Sequence, residues 1–285
     1  MSETKSRLLH LRGKKFAWGQ RTYLMGIINA TPDSFSGDGL NCDAGAAVER
    51  AHRFAHAGCD IIDIGGESTR PGHTAVPDVE EQRRVLPVLK AVRAAVDMPL
   101  SVDTFKPSVA ARALDAGADM INCIWGAVPG IVRAVALHAA PLVIMHNRPA
   151  ADYAGDCVAE VTRWLRDACA RAAAQGIASE RMIADPGIGF GKTASHNIEI
   201  LSRLKEIADA LPYPLLVGTS RKSFIAKITG DAASERIFGT AATVALAIAA
   251  GADIVRIHDV AQMREVAAVA DAISRSSRQA SVMPA

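Results

Sequence analysis

Arg256 and His258 stand two residues apart at the end of the apolar run DIVRIHD. Side chains alternate along an extended strand, so both cations project to the same side. Joined by the carboxamide of Asn29, at the end of TYLMGIIN, they form a set able to hold a di- or triphosphate. Mg²⁺ suits such a set, because magnesium takes few protein ligands and completes its shell with phosphate oxygens. The competing reading of the two cations is a helix-facing ion pair with Asp259. A second set is made of acceptors: Asp103, Asn122 and Asp185 each close an apolar run. A buried carboxylate is costly unless it meets a donor or a cation, so the trio suits a heterocycle with adjacent N–H groups. An internal salt bridge with Lys222 is the alternative for these acids.

Two further segments carry polar chemistry. GTSRKSF places Arg221, Lys222 and Ser223 after one apolar run and at the start of a helix, whose free N–H groups favour a phosphate or carboxylate. DPGIGFGKT surrounds Asp185 with glycines that allow close backbone approach, and Phe190 adds an apolar face. NATPDSFSGDG (29–39) and GGESTRPG (65–72) are loops dense in Gly, Pro, Ser and Asp; they read either as lids over a substrate or as plain surface loops. His146 is open between a functional group and a satisfied strand-end histidine, and Trp125 and Phe105 read as packing.

The elements that must bring these residues together are legible as punctuation. Eight β-branched or apolar runs begin after Gly, Pro or Asp: 22–29, 59–66, 99–104, 119–124, 141–146, 181–187, 214–220 and 253–259. Helical stripes lie between them, such as Val85, Leu89, Val92 and Val96, or Val158, Val161, Leu165, Ala168 and Ala172. Strand and helix alternate, and right-handed crossovers then give a parallel sheet. The fold class expected is α/β, a single (β/α)₈ barrel with a parallel eight-stranded core, the doubly wound open sheet being the alternative with the same local signals. Barrel enzymes carry their chemistry at the C-terminal ends of strands, where the polar residues named above fall.

Composition narrows the class. The 285 residues are 49% hydrophobic and 22% charged with a formal net charge of +2, consistent with one domain over 1–285, a core at about 22–270 and flexible ends, fraying beyond about Ser274. No basic run interleaved with aromatics suggests nucleic acid, and no apolar segment is long enough for a membrane span or a signal-peptide core. Five cysteines without C-x-x-C suggest reduced thiols and a cytoplasmic location. The alanine-rich helix expected over Thr240 to Ala250 could bury against a second copy, making a homodimer.

In order along the chain, MGIINATPDSFSGDG, DIGGESTRPG, SVDTFKP, IN-x-IWG, DPGIGFGKT, GTSRKSF, GTAA and RIHDV resemble dihydropteroate synthase over about residues 22–270. The resemblance implies a (β/α)₈ barrel that condenses 6-hydroxymethyl-7,8-dihydropterin pyrophosphate with p-aminobenzoate, forming 7,8-dihydropteroate and pyrophosphate for folate synthesis. It implies Mg²⁺ as cofactor, held with Asn29, and sulfonamides as inhibitors competing with p-aminobenzoate. It assigns Asp103, Asn122, Asp185, Lys222 and Arg256 to the pterin, and Asn29, Arg256 and His258 to the pyrophosphate. It assigns Phe35, Thr69, Arg70, Pro71, Phe190, Lys222 and Ser223 to p-aminobenzoate, with Asp103, Arg256, His258 and Lys222 as the catalytic set.

The chain departs from the family pattern at Asn122-Cys123, where Asn-Asp is usual; strand alternation turns residue 123 away from Asn122 and out of the pterin pocket. A methyltetrahydrofolate-binding methyltransferase and a non-catalytic pterin-binding paralogue are the rival readings, and GGESTRPG and SRKS speak against the first.

Overall fold

A computed structural model describes residues 8–31, 43–67, 76–230 and 236–275. Its central sheet comprises β3 (Tyr23–Asn29), β4 (Ile61–Gly65), β5 (Leu100–Asp103), β6 (Met120–Cys123), β7 (Leu142–Met145), β8 (Met182–Asp185), β9 (Leu216–Val217) and β10 (Ile254–Ile257). These eight strands are parallel and ordered β8-β7-β6-β5-β4-β3-β10-β9. A parallel bridge between Ala184 and Leu215 joins the two outer strands and closes the barrel, with Ala184 N–H donating to Pro214 O at 3.0 Å. All eight strands expected from the sequence are present, each shorter than its apolar run.

Around the strands run α1 (Ala44–His56), α2 (Asp78–Ala95), α3 (Pro107–Asp115), α4 (Pro129–Leu137), α5 (Cys157–Ala174), α6 (Ala194–Ser202), α7 (Leu204–Ala210), α8 (Ser223–Thr229), α9 (Ile237–Ala249) and α10 (Val260–Ser274). Their starts are specified locally. Asp43 and Asp156 accept two backbone N–H groups each at the heads of α1 and α5, Thr193 and His196 form a capping box on α6, and α3 and α4 open on proline. The two helical stripes read from the sequence are buried in α2 and α5.

Strand alternation sorts side chains into two layers. Ile28, Ile62, Ile64, Leu100, Val102, Ile121 and Cys123 pack under the helices. Met25, Ile61, Met120, Val143, Ile183, Leu216 and Ile254 fill the barrel floor. That floor is completed by a feature absent from the sequence reading, a hairpin of β1 (Leu8–Leu11) and β2 (Lys14–Ala17) that puts Leu9, Phe16 and Trp18 under the strands. Phe16 and Trp18 meet Tyr23 at ring separations of 4.8 and 5.4 Å, and the Tyr23 hydroxyl accepts from Ala17 N at 2.7 Å. The core thus begins at Leu9, below the expected bound of residue 22. At the other end Arg275 is buried and donates to Asp271 Oδ1 and Ala252 O, both at 2.7 Å, so order extends to the last described residue.

Candidate active site

The inward-facing positions turn polar above the apolar floor. Register pairs Asn29 with Gly65, Gly65 with Asp103, and Asp103 with Asn122, so these residues form one row at the strand C-termini. One layer below lie Asp63, Ser101 and Arg256, pointing the same way as Gly65, Asp103 and His258. Arg256 donates from Nε to Asp63 Oδ2 at 2.6 Å and from Nη2 to Asp103 Oδ2 at 2.8 Å. Asn122 Nδ2 donates to the same Asp63 oxygen at 3.0 Å. Of the acids named from the sequence, Asp103 meets a cation here, and the cation is Arg256. Asp259 receives both of its guanidinium bonds from Arg221, at 3.0 and 2.6 Å. The helix-facing pair considered for Arg256 therefore belongs to Arg221, whose side chain is committed there.

Asp185 closes β8 and accepts from Gly187 N at 2.7 Å, at the start of a turn with Gly187, Gly189 and Gly191 at positive φ. The turn is packed tightly: a Cβ on Gly187 would lie 1.9 Å from His146 O, and one on Gly189 would lie 2.9 Å from Lys222 Cδ. Glycine is therefore required for contact as well as conformation. Lys222 Nζ sits 4.0 Å from the centre of the Phe190 ring, and Ser223 begins α8 exposed. His258 Nδ1 lies 2.9 Å from Ser220 Oγ. Phe35, Thr69, Arg70 and Pro71 lie outside the described residues.

Burial dominates the electrostatics. It pushes the Asp103 carboxyl up to about 7, against the pull of Arg256 and with a further push from Asp63 and Glu81. It raises Asp185 to about 6, opposed by the Gly187 N–H and by the charges of Lys222, Lys192 and Arg256. Lys222 thus acts on both acids. Among the described residues, Asp63 Oδ1, Ser101 Oγ, Asp103 Oδ1 and Asn122 Oδ1 are buried without a hydrogen-bond partner. Unmatched oxygens are costly in a core and informative at a mouth, where a donor-rich ring edge can satisfy them.

Three features escaped sequence reasoning. Asp63 is fully buried and ties Arg256 to Asn122; its signal was a lone acid inside the apolar run IIDIG. Lys192 donates to His146 Nδ1 at 2.9 Å and Phe190 O at 3.0 Å, and burial lowers its ammonium to about 7. Lys106 is held between Glu67 at 2.5 Å and Glu81 at 2.6 Å, tying Glu67 at the end of the β4 turn to α2. His146 is fully buried and pushed down to about 3 by burial, then by Lys192 and Arg148, so it is a neutral packing residue between Tyr153 and Trp164. Phe105 packs against the core as expected, whereas Trp125 remains 39% exposed.

Cys123 faces the helices, as alternation requires, and its thiol is pushed up to about 12 by burial despite the nearby N–H groups of Trp125 and Val128. The described residues contain no group of three His, Cys, Asp or Glu able to hold a metal ion. Asn29 offers one neutral oxygen, which fits a magnesium ion whose remaining ligands are phosphate oxygens and water.

Comparison with known proteins places this geometry. Residues 25–258 match the family described as pterin binding enzyme. The dihydropteroate synthase of Synechocystis sp. is 47% identical over 270 residues, covering 91% of this chain and 93% of that one. The structure of Xanthomonas albilineans dihydropteroate synthase with 4-aminobenzoic acid is 41% identical and superimposes with a TM-score of 0.87 over 98% of this chain and 100% of its own. The Yersinia pestis enzyme in complex with a sulfonamide drug is 38% identical, with a TM-score of 0.89 over 94% of this chain and 99% of its own. The chain belongs to the dihydropteroate synthase family of pterin binding enzymes.

Proposed function

We propose that this protein condenses 6-hydroxymethyl-7,8-dihydropterin pyrophosphate with p-aminobenzoate, releasing pyrophosphate and 7,8-dihydropteroate. The observation that carries the reading is the meeting of Asp103, Asn122 and Arg256 over Asp63 at one barrel mouth, where acceptor oxygens of Asp63, Asp103 and Asn122 are buried without a hydrogen-bond partner among the described residues. Asp103, Asn122 and Asp185 bind the pterin edge, accepting from its N–H groups, and Lys222 balances the charge of both acids. Arg256 packs on the pterin and, with His258 and Asn29, receives the pyrophosphate.

The aryl amine is neutral at pH 7 and needs no strong base, so the barrier lies in breaking the methylene C–O bond. Electrostatics lowers it: Arg256 and His258 stabilise the departing oxygen, while Asp103 and the electron-rich pterin stabilise positive charge developing on the methylene carbon. Asn29, with the pyrophosphate oxygens, would hold Mg²⁺, which when bound would add charge neutralisation on the leaving group. Phe35, Thr69, Arg70 and Pro71, with Phe190, Lys222 and Ser223, form the p-aminobenzoate pocket, which sulfonamides contest.

The chain works as one domain and as a cytoplasmic homodimer. Supporting this, α9 and α10 pack side by side and leave Phe238, Leu246, Val269 and Ile273 more than half exposed on their outer faces. Cys59, Cys123, Cys157 and Cys169 are free thiols, and no helix of the described residues is long and apolar enough to cross a membrane. Pyrophosphate release that requires both substrates tests the reaction. Release with neither p-aminobenzoate dependence nor dihydropteroate formation overturns it, and complementation of a strain lacking its own synthase provides the cellular check.

A further inference from the structure

The turn after β9 and the turn after β10 are cross-linked twice. Arg221 Nε and Nη2 donate to the two oxygens of Asp259 at 3.0 and 2.6 Å. One residue earlier in each turn, Ser220 Oγ lies 2.9 Å from His258 Nδ1 and accepts from His258 N at 3.2 Å. The Ser220 side of this frame is held firmly. Arg221 has φ 57°, the left-handed region that is strained for a residue with a Cβ. It is kept there by its N–H on Thr240 Oγ1 at 3.1 Å and by Arg236 Nη1 on its carbonyl at 3.0 Å. Thr243 Oγ1 adds a bond to Thr219 Oγ1 at 2.9 Å.

Proton counting then assigns the ring. Ser220 is 5% exposed, and its hydroxyl has one proton to give. Its oxygen already accepts the His258 backbone N–H, and the ring nitrogen Nδ1 is the acceptor within reach of its O–H. A buried hydroxyl proton is placed on an acceptor wherever one is available. Nδ1 therefore takes the serine proton as a lone-pair acceptor, and the ring's own proton resides on Nε2.

We infer that Ser220 is a positioning residue that fixes His258 as its Nε2–H tautomer, so that the ring presents a donor, not a lone pair, to the oxygen of the departing pyrophosphate. The inference rests on the assignment of His258 to the leaving group proposed above. A ring held the other way, with Nδ1–H on the serine, would turn a lone pair towards the phosphate oxygens and oppose their negative charge. Ser220 itself touches no substrate in this scheme and acts through the ring.

The test is nitrogen-15 NMR of histidine-labelled protein at pH 8, with the His258 signals identified by their loss in His258→Gln, combined with kinetics of Ser220→Ala and Ser220→Thr. The unsubstituted protein is expected to show one protonated Nε2 and an unprotonated Nδ1. Ser220→Ala is expected to give a tautomer mixture, to lower kcat about tenfold and to weaken product inhibition by pyrophosphate in the same proportion, with the KM for p-aminobenzoate unchanged. Ser220→Thr, which keeps the hydroxyl, should restore both readouts, and Ser220→Ala should add nothing in a His258→Ala background. An Nδ1–H signal in the unsubstituted protein overturns the inference. So does a Ser220→Ala protein that melts earlier but keeps its tautomer and kcat, since that marks a purely structural bond. An Nε2–H signal together with undiminished pyrophosphate affinity in His258→Ala overturns instead the assignment of His258 to the leaving group.

Discussion

Asp185 and Asp103 are held above the ordinary carboxylate range by burial, at about 6 and about 7. The folded state therefore favours their protonated forms. That contribution to stability is full below about pH 4 and is lost as pH rises through about 6 to 7. Pterin binding has the opposite sign, because an N–H edge needs ionised acceptors, so affinity should climb across the same window. Asp185→Asn turns one acceptor into a donor facing a donor. It is expected to raise the pterin Kd at least about tenfold and to remove the part of the rise in affinity centred near pH 6. Calorimetric titration from pH 5 to 8 measures both, and an unchanged Kd would place Asp185 outside the pocket. Arg256→Ala strips the shared cation from Asp63 and Asp103 and removes the proposed contact to the leaving group. Steady-state kinetics should show kcat falling about 100-fold or more, with pyrophosphate affinity falling alongside; an unaffected rate would remove Arg256 from the chemistry.

Among the elements, the segment from β6 to α4 explains the departure at Cys123. The thiol lies near the N–H groups of Trp125 and Val128, and Val128, the N-cap of α4, makes no side-chain cap hydrogen bond. A carboxylate there would accept both N–H groups strongly, whereas a thiol does so weakly. Cys123→Asp should therefore stabilise the protein by about 1 kcal/mol, the usual scale of a cap, and leave both KM values unchanged. Thermal unfolding beside a substrate titration checks this, and a changed pterin KM would mean that residue 123 reaches the pocket. The β1–β2 hairpin provides the second test of an element. Phe16→Ala opens a cavity under Tyr23 and should cost about 3–5 kcal/mol while sparing the chemistry at the far end of the barrel. Denaturant unfolding measures it.

The same elements show what a sequence reading reaches. The eight strands are legible because a buried parallel strand is a bare apolar run between Gly, Pro or Asp. The hairpin is not: its four-residue strands, LLHL and KKFA, are too short and too irregular in polarity to show a strand period, and their buried Leu9 and Phe16 gain meaning only against a barrel floor assembled from distant strands. Asp103, Asn122 and Arg256 are readable because chemistry falls at strand ends, whereas Asp63 lies mid-strand and its partners come from β6 and β10. The commitment of Arg221 to Asp259, in place of Arg256, follows from the Ser220–Ser223 turn having its own left-handed backbone, which no spacing rule announces.

At the scale of the molecule, α9 exposes Phe238 at 85% and Leu246 at 67%, and α10 exposes Val269 at 55% and Ile273 at 76%, the kind of apolar surface on which the proposed dimer would form. Phe238→Glu should convert the proposed dimer to monomer in sedimentation at micromolar concentration, and a sedimentation coefficient independent of this substitution would place the contact elsewhere. The circumference of the barrel is also uneven. Between β8 and β9 the ladder reduces to a single bridge, and β9 is two residues long. Asp185 stands on one lip of that seam, and the turn carrying Ser220 and Lys222 stands on the other. A ring bonded to both lips would do what the short ladder does not, lacing the cylinder shut at its thinnest join, so that occupancy of the mouth and mechanical integrity of the wall become one quantity.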